Sequence, residues 1–570
     1  MKKEELIDAI GAVSDEYLER SEQAVAGGKT AEEIVSEPGM KCRKIFTGKW
    51  KVLATCACLF LIVGTVGFGL LMNFGGFGSS GNSGAGGSGS DDGSSVFMSY
   101  AGPVFPMTAL EGGESLLAER DITYDFQPWV PVWYSNEQRL EELKEEVPDI
   151  TEEELADAAA DFAERYPEGG CYRSSEDVLV QDNYTLTNSA DEEAVVTLLY
   201  PFVSSVRHLE ENQVVLLDAA GVPLETELHI GSYSGGFRGV AGSDNQEMLL
   251  NVDEITGWEE YKTLLSDDTY KNHALNYEAD VSDIPVVVYR FTDEYGPERT
   301  DQMPNPTLRA MYEMDFEKTE ILSYGFNGGY RDVEKGVAGL QYSIRREGNV
   351  DYGEPCYILV LGEDVKNMEV TGYVTGGWDT EEVISDVGVT VTREETDLDT
   401  VLREIVALEH KNVNGYQEEA NVDCETYYRL VVDMLETYGT LAEAPVSRYE
   451  DGMLEFLDVY GVKRVCYLET QVIIPAGESI TITASMSKEP SYDYYCAHTE
   501  NRGVNGYDMV TKLGTNLHIT NTTANIEDRD MIEIVRQNFG FDLDGGIRTV
   551  SLDVEVEHYY LEVRDKVQEE

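Results

Sequence analysis

The segment from Val52 to Met72 carries neither a charge nor a proline, and it limits where the rest of the chain can fold. A helix of this length rises about 30 Å, which matches the hydrocarbon core of a bilayer. About fifty residues precede it, including the acidic stretch KKEELIDAIGAVSDEYLERSEQ, whereas a secretory signal lies close to the N-terminus and ends at a cleavage site. The pattern therefore predicts one transmembrane helix over 52–72.

The charges that flank this segment predict its orientation. Five basic residues lie just before it, at Lys41, Arg43, Lys44, Lys49 and Lys51. No further Lys or Arg follows until Arg120, and positive flanks stay in the cytoplasm. We expect residues 1–51 to form a cytoplasmic helical tail and the rest of the chain to lie outside the cell.

Composition separates a linker from an acidic outer region. Residues 73–95 are mostly Gly and Ser, which is typical of a flexible tether. The formal net charge is −66, nearly all of it after residue 51. Such acidity excludes nucleic acid as a partner, because phosphate binding requires clustered Lys and Arg.

The outer region is predicted to be mainly β. Between residues 96 and 396, short runs such as AVVTLLYPF, DIPVVVYRF and CYILVLGEDV are separated by Gly, Pro, Asn and Asp. Many short strands without regularly interposed helices favour β-sandwich domains. One helix is expected at 151–166, where apolar residues recur on one face.

A helical insert and a second β-rich region are expected to complete the chain. Residues 397–459 change to helical periodicity, and residues 460–570 return to strands. Within the latter, VKRVCYLETQVIIPAGESITITASMS predicts two antiparallel strands around the turn PAGE. The alternation in TVSLDVEVEHYYLEV predicts one strand with a buried and a wet face.

Motifs for chemistry are missing from the sequence. The seven His show no HExxH arrangement, no GxSxG occurs, and five scattered cysteines after the apolar segment lack CxxC spacing. We therefore predict no catalytic residues, no metal and no cofactor, and the sequence favours a protein that is not an enzyme.

Two candidate contact sites remain, and each has a plainer structural interpretation. PSYDYYCAH offers aromatic faces suited to sugars or peptides, or ordinary strand packing; its residues are Tyr492, Asp493, Tyr494, Tyr495 and His498. The tail helix has an apolar face for a cytoplasmic partner, a dimer or the membrane, formed by Leu6, Ile10, Val13 and Tyr17. FQPWVPVWY, with Trp129 and Trp133, is interpreted as a strand or plug of the core, with a binding platform as the alternative.

The N-terminal stretch EELIDAIGAVSDEYLERSEQ, followed by KCRKIFTGKWK and one span, resembles Gram-positive bacterial membrane proteins grouped with anti-sigma-factor-like regulators. The resemblance covers roughly the first seventy residues. It implies a cytoplasmic regulator such as a sigma factor as a partner. The outer region resembles uncharacterised secreted bacterial β-sandwich proteins in its texture of strands and turns.

These expectations combine into one hypothesis and two alternatives. The chain is expected to be a single-pass protein of the bacterial cell membrane whose ectodomain binds or senses an unknown ligand at the cell surface. The alternatives are an envelope hydrolase with an unrecognised site and a structural surface protein or adhesin. A deep cleft with converging acids, His or Ser would favour the hydrolase.

Overall fold

Strands dominate the computed structural model, so the prediction of a mainly β fold is confirmed. The structure describes residues 102–146, 150–209, 214–233, 268–300, 302–346, 351–413, 420–437, 441, 453–457, 459–493 and 501–566. These all belong to one compact unit, Asn82–Glu570. The predicted tail, apolar segment and Gly/Ser linker lie outside the described residues. Among the residues that are described, no helix is long and apolar enough to cross a membrane.

The strands of the first half of the described chain are β1 Thr108–Glu111, β2 Leu116–Asp125, β3 Val132–Ser135, β4 Gly170–Arg173, β5 Val178–Asn188, β6 Ala194–Ser205, β7 Val215–Asp218, β8 Glu227–Tyr233, β9 Pro285–Tyr295, β10 Thr307–Glu313, β11 Thr319–Tyr324 and β12 Gly328–Asp332. Those of the second half are β13 Val337–Ser343, β14 Cys356–Gly362, β15 Lys366–Tyr373, β16 Val383–Ile384, β17 Gly388–Asp397, β18 Lys463–Ile474, β19 Ser479–Lys488, β20 Tyr492–Asp493, β21 Asn505–Val510, β22 His518–Glu527, β23 Ile532–Gln537, β24 Thr549–Leu552 and β25 His558–Asp565. The α-helices are α1 Asn136–Glu146, α2 Glu152–Arg165, α3 Thr269–Asn276, α4 Leu398–Glu409 and α5 Cys424–Thr437.

Two sheets built from both ends of the described chain form the first layered pair. One has the order β1-β6-β18-β8 and the other β24-β22-β2-β5-β19-β7. Each of these sheets therefore contains strands from both the predicted 96–396 and the predicted 460–570 region. Along β2 and β5, buried residues strictly alternate with exposed or partly exposed ones, so each strand has one face in the core.

Two stacked strand–turn–strand units join these sheets. The pairing of their strands shows that the prediction of a β-hairpin around PAGE is wrong. β18 and β19 do not pair with each other around the turn PAGE: β18 pairs with β6 and β8, whereas β19 pairs with β5 and β7. The consecutive strands β5 and β6 are divided between the two sheets in the same way. Each turn therefore carries the chain from one layer to the other, because both strands flanking it have an apolar face to bury.

The middle of the chain forms the second layered pair. Its sheets have the orders β12-β13-β10-β15-β16 and β11-β14-β9-β17. Aromatic rings fill the space between them, since Phe326 lies 5.4 Å, centroid to centroid, from both Phe291 of β9 and Tyr342 of β13. β14 is buried over its first five residues, as its uninterrupted apolar run predicts.

A further four-stranded sheet, β20-β21-β25-β23, corrects the prediction for the C-terminal stretch. The alternating sequence from Thr549 forms two strands, β24 and β25, which belong to different sheets. The extended conformation is interrupted between them, where Val556 is exposed and its N–H donates to the Asp553 carbonyl at 3.0 Å. A turn therefore interrupts the apparent alternation.

The predicted helices are present where the structure describes them. α2 covers the interval expected at 151–166, and α4 and α5 lie within the predicted helical insert. Asp397 caps α4 by accepting the N–H of Thr400 at 2.8 Å, and this bond lowers the pKa of the Asp397 carboxyl. Asp433 of α5 accepts hydrogen bonds from Arg464 of β18 and from His273 of α3, which docks the helices onto the first layered pair.

A fully buried ion pair lies at the centre of the first layered pair. Arg120 of β2 donates to both oxygens of Asp182 on β5, at 2.8 and 2.9 Å. The same guanidinium donates to the carbonyls of Phe105 and Val510, and the hydroxyls of Tyr184 and Tyr200 donate to Asp182; these four bonds measure 3.2, 2.6, 3.0 and 3.1 Å. Burial alone would lower the pKa of Arg120, but the Asp182 carboxylate more than offsets it, so the pKa is raised.

Replacing Arg120 by Met is expected to reduce the free energy of unfolding by about 3–5 kcal/mol, because the Asp182 carboxylate would stay buried without its counter-charge. Urea unfolding monitored by circular dichroism measures this loss. The double variant Arg120→Met/Asp182→Leu should recover much of it, since no uncompensated charge remains. Arg529→Met, which breaks a surface pair with Asp125, is the control and should change little. Equal losses in the single and double variants would contradict the prediction.

Candidate functional site

A small insert projects from the first layered pair between two strands that are neighbours in its larger sheet. β2 and β5 pair along their whole length, yet residues 130–175 intervene and form β3, α1, α2 and β4. Both ends of this β3–β4 insert are tied to the core. Trp129 is buried, with its ring 5.7 Å from that of Phe126, and the Ser175 N–H donates to the Pro128 carbonyl at 2.8 Å.

The inner face of the two-stranded sheet is fixed by arginine–aromatic stacking. The guanidinium of Arg139 on α1 lies 4.6 Å from the ring of Tyr134 on β3 and 4.0 Å from that of Tyr166. Arg173 of β4 lies 3.9 Å from the Tyr134 ring. Arg139 Nη2 also donates to Cys171 Sγ at 3.0 Å. These contacts hold the two-stranded sheet against its two helices, because each guanidinium stacks on an aromatic ring.

The outer face of this sheet exposes two aromatic side chains. Trp133 of β3 and Tyr172 of β4 are directly paired across the sheet, so their side chains share one face. Their rings lie 5.1 Å apart at 73°, which is an edge-to-face arrangement. Tyr172 is 69% exposed and Trp133 is 38% exposed. We call these two residues the aromatic platform.

A glycine places the indole against the sheet. A Cβ atom on Gly170 would lie 2.9 Å from Trp133 Cζ2 and would also overlap the Tyr134 carbonyl oxygen. The Trp133 ring therefore packs directly over the Gly170 backbone, a position that a side chain would fill. The glycine thus allows the indole to lie close to the strand backbone, beside the exposed Tyr172 ring.

This arrangement is suited to contact with a ring that has both apolar and polar edges. Aromatic side chains supply large contact areas at low cost in conformational entropy, and the tyrosine hydroxyl adds a hydrogen-bonding group. The platform lies on a sheet whose other face is already packed, so little ordering is needed when a ligand binds.

The structure assigns the predicted aromatic segment to two roles. Trp129 is a core residue, as expected, whereas Trp133 is 38% exposed and lies on the outer face of the two-stranded sheet. Sequence reasoning did not identify Tyr172, which lies 39 positions away and becomes a neighbour only through the pairing of β3 with β4. The run GGCYR carries a weak signal, since glycines next to an exposed aromatic mark a close approach of the backbone.

The other predicted contact residues are placed only in part. Tyr492 is buried, its ring packs against Gly506, and its hydroxyl donates to Glu562 Oε1 at 3.3 Å. Asp493 pairs with Asn505 in the same sheet. Tyr494, Tyr495 and His498 lie outside the described residues, as do Leu6, Ile10, Val13 and Tyr17. Within the described part of the candidate, Tyr492 serves sheet packing.

A second feature is a small cavity that contains two carboxyl groups. It lies between α4, α5, β11 and the 3₁₀ helix Leu454–Leu457, and Tyr324, Glu409 and Glu455 contribute its polar groups. Seven mainly apolar residues complete the lining: Leu402, Ile405, Val406, Tyr427, Val431, Leu454 and Val459. Its volume of about 20 Å³ has room for one water molecule. This cavity is too small for a sugar ring or a peptide.

No metal centre is present in the part of the chain that the structure describes. There, no three His, Cys, Asp or Glu side chains come close enough to hold an ion. The four described cysteines, Cys171, Cys356, Cys424 and Cys466, are free thiols, and burial raises the pKa of Cys356 and of Cys466, the latter to about 12. These two thiols are therefore unreactive at neutral pH.

Gly170→Ala should displace the Trp133 indole, because the new methyl group would lie 2.9 Å from Trp133 Cζ2; it would also overlap the Tyr134 carbonyl oxygen, so the pairing of β3 with β4 should loosen as well. In protein labelled with 5-fluorotryptophan, the ¹⁹F resonance of Trp133, assigned with Trp133→Phe, is expected to shift and to become more sensitive to a solvent quencher. Gly329→Ala is the matched control, since a methyl group there meets only ordinary contacts, at 3.5 Å or more. An unchanged Trp133 resonance in Gly170→Ala would show that the indole does not rest on the glycine.

Comparisons with known proteins supply no relative for this arrangement. The chain matches no protein-family model, no curated protein and no solved structure.

Proposed function

We propose that the protein is a membrane-anchored, extracellular carbohydrate-binding protein of the bacterial cell surface. The observation that carries the proposal is the aromatic platform: an indole that is 38% exposed and packs against Gly170, with the 69% exposed Tyr172 beside it. A sugar ring has an apolar face formed by its C–H groups and a rim of hydroxyls. The platform matches both parts, with π faces for the first and a phenol hydroxyl for the second.

The charge of the protein indicates whether the carbohydrate is neutral or anionic. With a formal net charge of −66, the protein repels polyanions at long range. Two of the three arginines of the β3–β4 insert, Arg139 and Arg173, are stacked on Tyr134 and Tyr166 on the inner face, and the third, Arg165, pairs with Asp161 at 2.8 Å. The platform therefore favours neutral polysaccharides.

The carboxyl cavity supports binding over hydrolysis. A hydrolase would require acids at the surface of a cleft that admits substrate. Glu409 and Glu455 instead line a space for about one water molecule. Anchoring is supported by the apolar segment 52–72 and its basic flank, and a β-sandwich ectodomain on a Gly/Ser tether would carry the platform away from the membrane.

Trp133→Ala and Tyr172→Ala are each expected to weaken binding to a neutral polysaccharide by roughly tenfold or more, because each removes one aromatic contact. Affinity electrophoresis of the full-length protein, in a detergent without a sugar head group, measures retardation in gels containing xylan, mixed-linkage glucan or soluble starch. Tyr352→Ala is the matched control, since Tyr352 is 54% exposed but lies outside the insert, and it should bind normally.

Two outcomes would contradict the proposal. Retardation in none of the neutral gels would exclude the carbohydrate class, and equal retardation of wild type and both platform variants would exclude the platform. A gel containing polygalacturonate tests the charge argument, and it should retard the wild type less than the neutral gels do.

The N-terminal tail, residues 1–51, is the proposed regulatory segment. Leu6, Ile10, Val13 and Tyr17 would present an apolar face to a cytoplasmic regulator such as a sigma factor. Deleting residues 1–40 is then expected to remove a co-purifying protein from the detergent-solubilised chain, as identified by mass spectrometry. If the same proteins co-purify with both chains, the tail serves only the anchor.

A further inference from the structure

The carboxyl cavity connects three elements that are distant in sequence. Glu409 is the last residue of α4, Glu455 lies in the 3₁₀ helix Leu454–Leu457, and Tyr324 ends β11. The Gly325 N–H donates to Glu455 Oε1, and Met453 forms a bridge with Ser323. The 3₁₀ helix is thereby held against the edge of the sheet β11-β14-β9-β17.

The second oxygen of Glu455 has no such support. Oε2 is buried and accepts no hydrogen bond, although the residue as a whole is partly exposed. An ionised carboxylate with one unsatisfied buried oxygen is costly, whereas a protonated carboxyl carries no net charge to desolvate. The cavity therefore favours the protonated form of Glu455.

The groups that surround Glu455 reinforce this preference. Desolvation is the main cause that raises the pKa of Glu455 to about 7; the Gly325 N–H opposes the rise, Glu409 adds to it and Arg345 opposes it. Burial, then Glu409, Glu354 and Glu455, likewise raise the pKa of Tyr324. Arg345 is already engaged by Glu294, with 3.2 Å between Nε and Oε1.

Three further groups lie on or beside the helices near the cavity, namely Tyr427, His410 and Lys411. α5 contributes Tyr427, whose ring lies edge-on to His410 at 5.9 Å. The His410 Nε2 lies 2.6 Å from the Val422 carbonyl oxygen. Lys411 opposes the rise in the pKa of Glu354, a residue whose pKa is raised by burial.

We propose that Glu455, with Glu409 beside it, forms a proton-controlled latch, in which a proton on the Glu455 carboxyl group keeps the 3₁₀ helix Leu454–Leu457 closed against β11. When Glu455 is ionised, its repulsion by Glu409 and its demand for water open this contact. The latch is independent of the aromatic platform and of any ligand bound there.

The direction of the pH dependence follows from the proton balance. In the open state Glu455 is hydrated and its pKa returns to about 4.5, whereas in the closed state it is about 7. Closing therefore takes up a proton between these values, and the closed state is favoured at low pH. The opening equilibrium should rise roughly ten- to hundredfold from pH 4.5 to pH 7 and then level off.

Hydrogen–deuterium exchange of the full-length protein tests the latch. Peptides covering Leu454–Leu457 and the end of α4 should lose protection as pH rises to 7, after correction for base catalysis of amide exchange. Glu455→Gln keeps the shape without the charge, and it should abolish this pH dependence. Glu404→Gln is the control, because Glu404 lies on the solvent side of α4 and is 43% exposed.

A second variant keeps the test decisive if Glu455→Gln fails to fold. Glu409→Gln removes the neighbouring charge, and it should shift the loss of protection to lower pH and reduce its size. Identical pH dependence in wild type, Glu409→Gln and Glu404→Gln would overturn the proposal, as would a wild-type protection that is constant between pH 4.5 and 8.

Discussion

The first layered pair depends on the buried contact between Arg120 and Asp182. Two charges removed from water in this way are tolerated only where every remaining donor and acceptor is satisfied. Here two backbone carbonyls accept hydrogen bonds from the Arg120 guanidinium, and two tyrosine hydroxyls donate to the Asp182 carboxylate. Because these partners come from β2, β5, β6 and two distant segments, the polar cluster specifies which surfaces face each other. Apolar burial supplies the driving force, and the ion pair selects one arrangement.

Local sequence patterns predicted elements better than partners. The stretches TNSADEEAVVTLLYPF and TQVIIPAGESITITASM have a similar texture, with a polar turn beside a strongly apolar strand. The structure explains the similarity: the turns connect β5 to β6 and β18 to β19, and each strand of one unit pairs with a strand of the other. A tight turn between two strand-like runs suggests a hairpin, and only tertiary packing shows that it links two layers. The interrupted strand after Thr549 has the same explanation.

The candidate site was predictable only in part for a related reason. Trp133 stands out as one of five tryptophans in a proline-rich stretch, but its partner Tyr172 belongs to a different local pattern. Their proximity depends on the pairing of two four-residue strands across an insert that contains two helices. The carboxyl cavity was still harder to foresee, since the chain contains 108 acidic residues and nothing local distinguishes Glu409 or Glu455. What brings these two together is the packing of the 3₁₀ helix Leu454–Leu457 beside the end of α4, which the sequence does not display.

The parallel pairing of β2 with β22 has a consequence for how the chain reaches this structure. Leu117 pairs with His518, about 400 residues later. One edge of β2 therefore stays unpaired until nearly the whole chain has been synthesised. At ordinary rates of synthesis this delay is about 20–80 s. An open strand edge is prone to wrong pairing during such an interval. The charged residues within LLAERDITYD place Glu119 and Asp121 on the outer face of that edge, where they act as gatekeepers against self-association of newly made chains.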